Sequence, residues 1–216
     1  MDESKHARTR AAREAFRNFR AIARRAWRCA WKGFHADETR VSDGARLRGL
    51  PAQIPADCRV LVLGSMPGTA SLDAARYYAH PRNRFWPLMS RLLGVEMGGD
   101  YASRLAQLQA SGVGLWDVIG KCVRVGSLDA AIERASVVPN PLPDTLAGLP
   151  ALRAVACNGA EAYRLWQRWI APSLPSALAG LPVLALPSTS PANAAFGIDR
   201  LAAAWAPVRA YLAPRA

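Results

Sequence analysis

The sequence predicts an α/β fold: three α/β/α layers around a short, mostly parallel four-stranded sheet, preceded by a basic helical N-terminal arm. Three observations predict it. Short apolar runs, each closed by Gly, Asn or Pro, alternate with helical stretches over residues 59–212, and such alternation builds a parallel sheet covered on both faces. The charge is uneven: residues 1–50 hold 13 Lys+Arg and 6 Asp+Glu, a net +7 against +5 for the other 166 residues. Finally, 216 residues that are 51% apolar and 20% charged can bury a full core, which excludes wholesale disorder.

From residue 13 to 34 the apolar positions Phe16, Phe19, Ala23, Ala26, Trp27, Ala30 and Phe34 recur at three and four, with Arg13, Arg17, Arg20, Arg24 and Arg28 on another face. This is the pattern of a basic amphipathic helix. It reads either as an arm for DNA or a membrane surface, or as a solvated helix or upstream extension without a role. Residues 35–56 lose the periodicity and gather Gly44, Gly49, Pro51 and Pro55, the composition of a linker. Residues 1–50 are therefore assigned to arm and linker, and 51–216 to the core domain.

Within the core, residues 59–63 (RVLVL) form a β-branched and leucine run ending at Gly64, as expected of a strand buried on both faces. Residues 113–118, 152–157 and 182–186 repeat the pattern, with helical stretches at about 84–93, 101–111, 159–170 and 199–212. In such sheets ligands bind at the carboxyl ends of the strands, so the loops after Leu63, Cys157 and Leu186 are the ones to examine.

A net charge of +12 and a pI near 10.6 favour a polyanionic partner, nucleic acid or an anionic membrane face. Only Lys5, Lys32 and Lys121 are lysines; the arginine excess suits phosphate forks and equally reflects a coding bias. The four cysteines, Cys29, Cys58, Cys122 and Cys157, lie 29, 64 and 35 residues apart, without the close pairing of a zinc or iron–sulfur site. They read as reduced, mostly buried thiols of a cytosolic protein. Residues 169–198 carry no formal charge, but five prolines interrupt them, so no transmembrane helix is expected. No apolar run follows the basic start, and no secretory signal is expected either.

The first loop, GSMPG (64–68), is neither a GxGxxG fingerprint nor a P-loop, which removes the usual support for a nucleotide cofactor. It is followed by YYAHPRNRFW (77–86), where aromatics suited to base stacking, arginines suited to phosphate and one amide fall within ten residues. The second loop, CNG (157–159), places the Asn158 amide at the sheet edge, where it also suits a helix cap. The third, LPSTSPAN (186–193), sets three hydroxyls between prolines, a donor platform for phosphate or a plain loop.

In order, GSMPG, SLDAARYYAHPRNRFW, GVGLWDVIGKCVRVGSLD, CNG and LPSTSPAN make residues 59–205 resemble the uracil-DNA glycosylase superfamily, in particular its hypoxanthine-DNA (deoxyinosine) glycosylase family. The resemblance implies a monofunctional DNA glycosylase of base-excision repair, acting on deaminated bases with hypoxanthine favoured and uracil second. It implies no cofactor or metal, damaged DNA as partner, no membrane, a monomer and a cytoplasmic, nucleoid-associated location. Met66 stands where other superfamily members carry Asp or Asn, and a thioether cannot orient water. The resemblance moves that role to Asn83, as the catalytic residue. It assigns base binding to Asn158, Phe85, Ser65 and Met66, with Phe85 stacking the base. It assigns DNA contacts to Ser188, Thr189, Ser190, His80 and Arg82. The third loop lacks the His that the uracil enzymes use against the developing base anion, so help for the leaving base is weaker or comes from backbone N–H groups.

A base inside a duplex must be flipped out at a cost of a few kcal/mol, least for a mispaired one. Hypoxanthine offers an acceptor at O6 and a donor at N1, and uracil the same pair at O4 and N3. One oriented amide reads both and rejects adenine and cytosine. Asp117 could serve as a base at a strand end, or more ordinarily as a cap or an ion-pair partner of Lys121 or Arg124. A Schiff-base lyase needs a lysine, and Lys121 lies outside the three loops. The alternative to the enzyme is a weakly catalytic or non-catalytic nucleic-acid-binding protein of the same fold.

Overall fold

The computed structural model describes residues 46–213; the amphipathic stretch at 13–34 and Cys29 lie outside the described residues. In chain order the elements are β1 (Arg46–Arg48), β2 (Val60–Gly64), α1 (Thr69–Asp73), α2 (Phe85–Leu93), α3 (Tyr101–Ala110), β3 (Val113–Asp117), β4 (Ile119–Val123) and β5 (Val138–Pro139). They continue with α4 (Leu142–Ala147), β6 (Ala154–Asn158), α5 (Ala160–Leu165), β7 (Val183–Leu186), α6 (Ile198–Trp205) and α7 (Val208–Leu212).

The main sheet has the order β3-β2-β6-β7, and every pairing in it is parallel. Strand β2 is apolar throughout because both of its faces are covered. Val60 and Val62 enter one core cluster with Phe85, Leu88, Leu201 and Trp205. Leu61 and Leu63 enter the opposite cluster with Ile119, Leu142, Leu165 and Trp166. Alternate residues of a strand thus feed two separate cores, which produces the three predicted layers.

The chain leaves β2 towards β3 on one side, while β6 continues to β7 on the other. That reversal between β2 and β6 is a topological switch point, where loops diverge and leave a crevice at the carboxyl edge. Cys58, Cys122 and Cys157 are buried free thiols, in line with their spacing.

Three local readings need correction. The stretch of linker composition is tied into the core from Arg46 onward: β1 pairs antiparallel with β4, Gln53 bridges Leu115, and Leu50 packs on the first cluster. Three-residue strands lack the length to show an alternating pattern, so composition alone reads them as loop. The helix expected over 199–212 breaks into α6 and α7 at Pro207, which has no N–H for a helical bond. The helix expected over 159–170 is α-helical only to Leu165 and closes in a π-helical turn at Trp166–Ile170. Among the described residues, no helix is long and apolar enough to cross a membrane.

Candidate active site

The crevice at the switch point is a cavity of about 170 Å³. The first loop, the 77–83 stretch, the ends of β3 and β6 and the 188–191 loop all line it, so chain segments far apart in sequence meet there because each follows or precedes a strand end.

Asn158 ends β6 and is 9% exposed. Its Oδ1 accepts the Thr189 N–H at 2.9 Å, and its Nδ2 donates to Thr189 Oγ1 at 3.0 Å and Tyr78 Oη at 3.1 Å. A backbone N–H can only donate, so the atom facing it must be Oδ1, and the amide has a single orientation. Gly159, which follows, has φ +114 and a Cβ placed there would lie 3.1 Å from Ser188 Cβ. Only glycine both adopts that backbone and lets the third loop approach Asn158.

Asn83 lies on the turn before α2, half-buried and lining the cleft. Its Oδ1 accepts the Phe85 N–H at 3.0 Å, which fixes the side chain and leaves Oδ1 a second lone pair. The turn is held to the third loop by Arg84. The Arg84 N–H donates to the Thr189 carbonyl at 3.1 Å, and its guanidinium donates to the carbonyls of Ser190, Asn193 and Phe196. Arg84 therefore works as a clamp within the protein.

The first loop is braced from the far side. Ser65 Oγ donates to Asp129 Oδ1 at 2.7 Å, Arg124 donates to the carbonyls of Pro67 and Gly126, and Ser127 Oγ accepts the Thr69 N–H at 2.9 Å. Asp117, at the end of β3, is 4% exposed. Burial pushes its carboxyl up to about 7; the Tyr77 hydroxyl opposes this, the Asp129 carboxylate adds to it, and Arg124 opposes it.

Most residues singled out in the sequence do meet here: Ser65, Met66, His80, Asn83, Asn158, Ser188, Thr189 and Ser190 all line the cleft. Two stand differently from expectation. Phe85 is fully buried in the first core cluster, so it cannot stack a base; the ring it stacks on, at 3.8 Å and 19°, is that of Tyr78, which does line the cleft. Thr189 is also fully buried, and it positions Asn158 rather than meeting a phosphate. Arg82 is exposed beside the cleft, outside its lining, with its N–H on His80 Nδ1 at 3.1 Å. Tyr78 is the residue that reading by sequence passed over. Its φ of +55 is uncommon for a residue with a side chain, and backbone held so tends to mark functional sites. Asp129 was missed as well, although it lies inside the GVGLWDVIGKCVRVGSLD stretch.

The fold and cleft define a class: a doubly wound α/β protein with an oriented, amide-lined polar crevice at its switch point. Residues 51–209 match the family model of the uracil DNA glycosylase superfamily, and the chain belongs to that superfamily. It is similar to a protein of Methanosarcina acetivorans named hypoxanthine DNA glycosylase, 32% identical over 156 residues, covering 71% of this chain and 92% of the relative. A Methanosarcina barkeri protein of the same name is 34% identical over 113 residues, 52% of this chain and 70% of the relative. The solution NMR structure of a candidate uracil DNA glycosylase from Methanosarcina acetivorans superimposes with a TM-score of 0.65 at 30% identity, covering 78% of this chain and 99% of that one.

Proposed function

We propose that this protein is a monofunctional DNA glycosylase that hydrolyses the N-glycosidic bond of deaminated bases, hypoxanthine first and uracil second, and leaves an abasic site. The observation that carries the reading is the single orientation of the Asn158 amide inside the cleft. Its Oδ1 keeps a lone pair for the N1–H of hypoxanthine or the N3–H of uracil. Its Nδ2 has one hydrogen on Thr189 and one on Tyr78, and O6 or O4 takes the second as the base enters, displacing the Tyr78 hydroxyl. Adenine and cytosine present the reversed pattern and leave the amide unmatched.

Tyr78, backed by Phe85, supplies the stacking face that replaces the neighbours of the flipped base, worth roughly 1–3 kcal/mol. Departure of the base leaves an oxocarbenium-like sugar. The remaining lone pair of Asn83 Oδ1 orients a water towards C1′, and Ser188 and Ser190 meet the phosphate beside it. Among the described residues no lysine lines the cleft, which favours hydrolysis over a Schiff-base lyase step. The names of the Methanosarcina relatives support hypoxanthine as the first substrate. Incubation with labelled duplexes carrying inosine, uracil or xanthosine, followed by alkaline cleavage, tests the reading. Strand breaks at inosine are the expected result, and intact strands in all three arms overturn it.

The basic arm supplies duplex affinity rather than chemistry. Residues 1–45 hold 11 Lys+Arg and 6 Asp+Glu. Their removal is expected to weaken binding to any duplex and to flatten log K against log salt by about 0.9 for each phosphate the arm had neutralised. Excision at saturating enzyme should persist. Cutting at residue 50 instead removes β1 and Leu50, whose carbonyl accepts the Tyr77 hydroxyl at 3.3 Å, and a lowered melting temperature is expected for that truncation alone. Unchanged affinity and salt slope after removal of 1–45 would assign the arm no part in binding.

A further inference from the structure

We propose that Asp117 is a second catalytic group of this cleft, the carboxylate that accepts the proton of the attacking water; the proposal rests on the glycosylase reading above. An amide orients water but cannot hold its proton, and a carboxylate beside it can accept that proton and relay it to the departed base anion. Among the described residues, three side chains lining the cleft can accept a proton: His80, Asp117 and Asp129. His80 Nδ1 is engaged by the Arg82 N–H, and Asp129 Oδ1 by the Ser65 hydroxyl at 2.7 Å. Asp117 is different. The Tyr77 hydroxyl is its one side-chain partner, its Oδ2 is enclosed with no hydrogen bond, and its carboxylate takes part in none of the ion pairs among the described residues.

Two neighbours hold this costly arrangement in place. The Asp117 backbone carbonyl accepts Asn140 Nδ2 at 2.9 Å, which anchors the end of β3. In register opposite stands Gly64, where a Cβ would lie 2.4 Å from Asp117 Oδ1. Any larger residue at 64 would drive the carboxylate away from the first loop, so the glycine of GSMPG is needed for this contact as well as for the turn. A buried carboxylate with no cationic partner and one oxygen without a hydrogen bond disfavours folding, and such groups cluster at functional sites.

In the proposed step the water oxygen forms a bond to C1′, the C1′–N9 bond of the inosine breaks with its electron pair leaving on the base, and the water proton passes to the Asp117 carboxylate. From there it goes to the departed base anion, which restores the enzyme. The charged and titratable groups around Asp117 are Tyr77, Tyr78, Asp129 and Arg124. Burial first, then the Tyr77 hydroxyl, Asp129 and Arg124, set its titration at about 7, close to the value that serves a general base best. The active form is the carboxylate, so activity is present above that value and lost as pH falls through it.

The test is single-turnover release of hypoxanthine from an inosine duplex by the full chain at saturating enzyme, followed from acidic to alkaline pH. The native protein is expected to gain about tenfold per pH unit below about 7 and to level off above it. Asp117→Asn should lower the plateau by about 10² to 10⁴ and abolish the acidic limb, while His80→Gln should keep the limb. An Asp117→Asn rate within about threefold of native, or an unchanged limb, overturns the proposal. Should that variant fail to fold, the other two profiles decide: a limb absent near 7, or lost with His80, also overturns it. A native protein inactive on every deaminated base overturns the glycosylase reading itself.

Discussion

Replacing Asn83 by alanine is expected to slow single-turnover excision by about 10² to 10⁴, the range for loss of a group that positions a proton-transferring partner. Affinity for a damaged duplex should stay nearly constant, because the water is used in the transition state. The side chain also accepts the Phe85 N–H at the start of α2, so alanine removes a turn hydrogen bond worth about 1 kcal/mol. Asn83→Ser separates the two effects. A serine oxygen can accept the same N–H, so its melting temperature should lie closer to native while its rate falls with that of the alanine variant. Near-native cleavage by both variants would remove Asn83 from the chemistry and leave Asp117 to hold the water as well as its proton.

The second large effect is expected at Asn158. In Asn158→Asp the oxygen facing the Thr189 N–H remains, and the hydroxyls of Thr189 and Tyr78 can turn to donate where they now accept, so the third loop keeps its place. What disappears is the donor to O6 or O4, with carboxylate lone pairs in its stead. Excision of hypoxanthine and of uracil should fall together, by about 3 kcal/mol or roughly 10²-fold. Loss of one activity alone would show that the two bases are read by different groups. Measured circular dichroism close to native would confirm that the loss is local.

The main-sheet strands and the four helical stretches were legible because each run is buried on one or both faces, and burial imposes the period on the residues. The 46–55 segment was not, since β1 is three residues long and is held by pairing with β4, a partner over seventy residues away. The same distinction divides the site. Asn83, Asn158 and the Ser188–Ser190 hydroxyl loop stand out by residue type beside strand and helix ends, and the structure brings them into one crevice.

Their roles follow from tertiary neighbours. Phe85 and Tyr78 are both aromatic and lie in one ten-residue stretch, and nothing in their spacing says which faces the crevice. The helical phase of α2 turns Phe85 into the core, and the left-handed backbone at 78 lifts Tyr78 over it. Thr189 reads as one hydroxyl among three until its N–H and Oγ1 are seen on the Asn158 amide. Sequence by itself determined the α/β class, the strand ends where chemistry is placed and the amides available for it, because periodicity and residue chemistry are local properties. Which side chain is sealed, which amide is oriented and which carboxylate is buried without a cationic partner depended on groups brought together from β2, β3, β6 and the 188–191 loop, and only tertiary packing decides that.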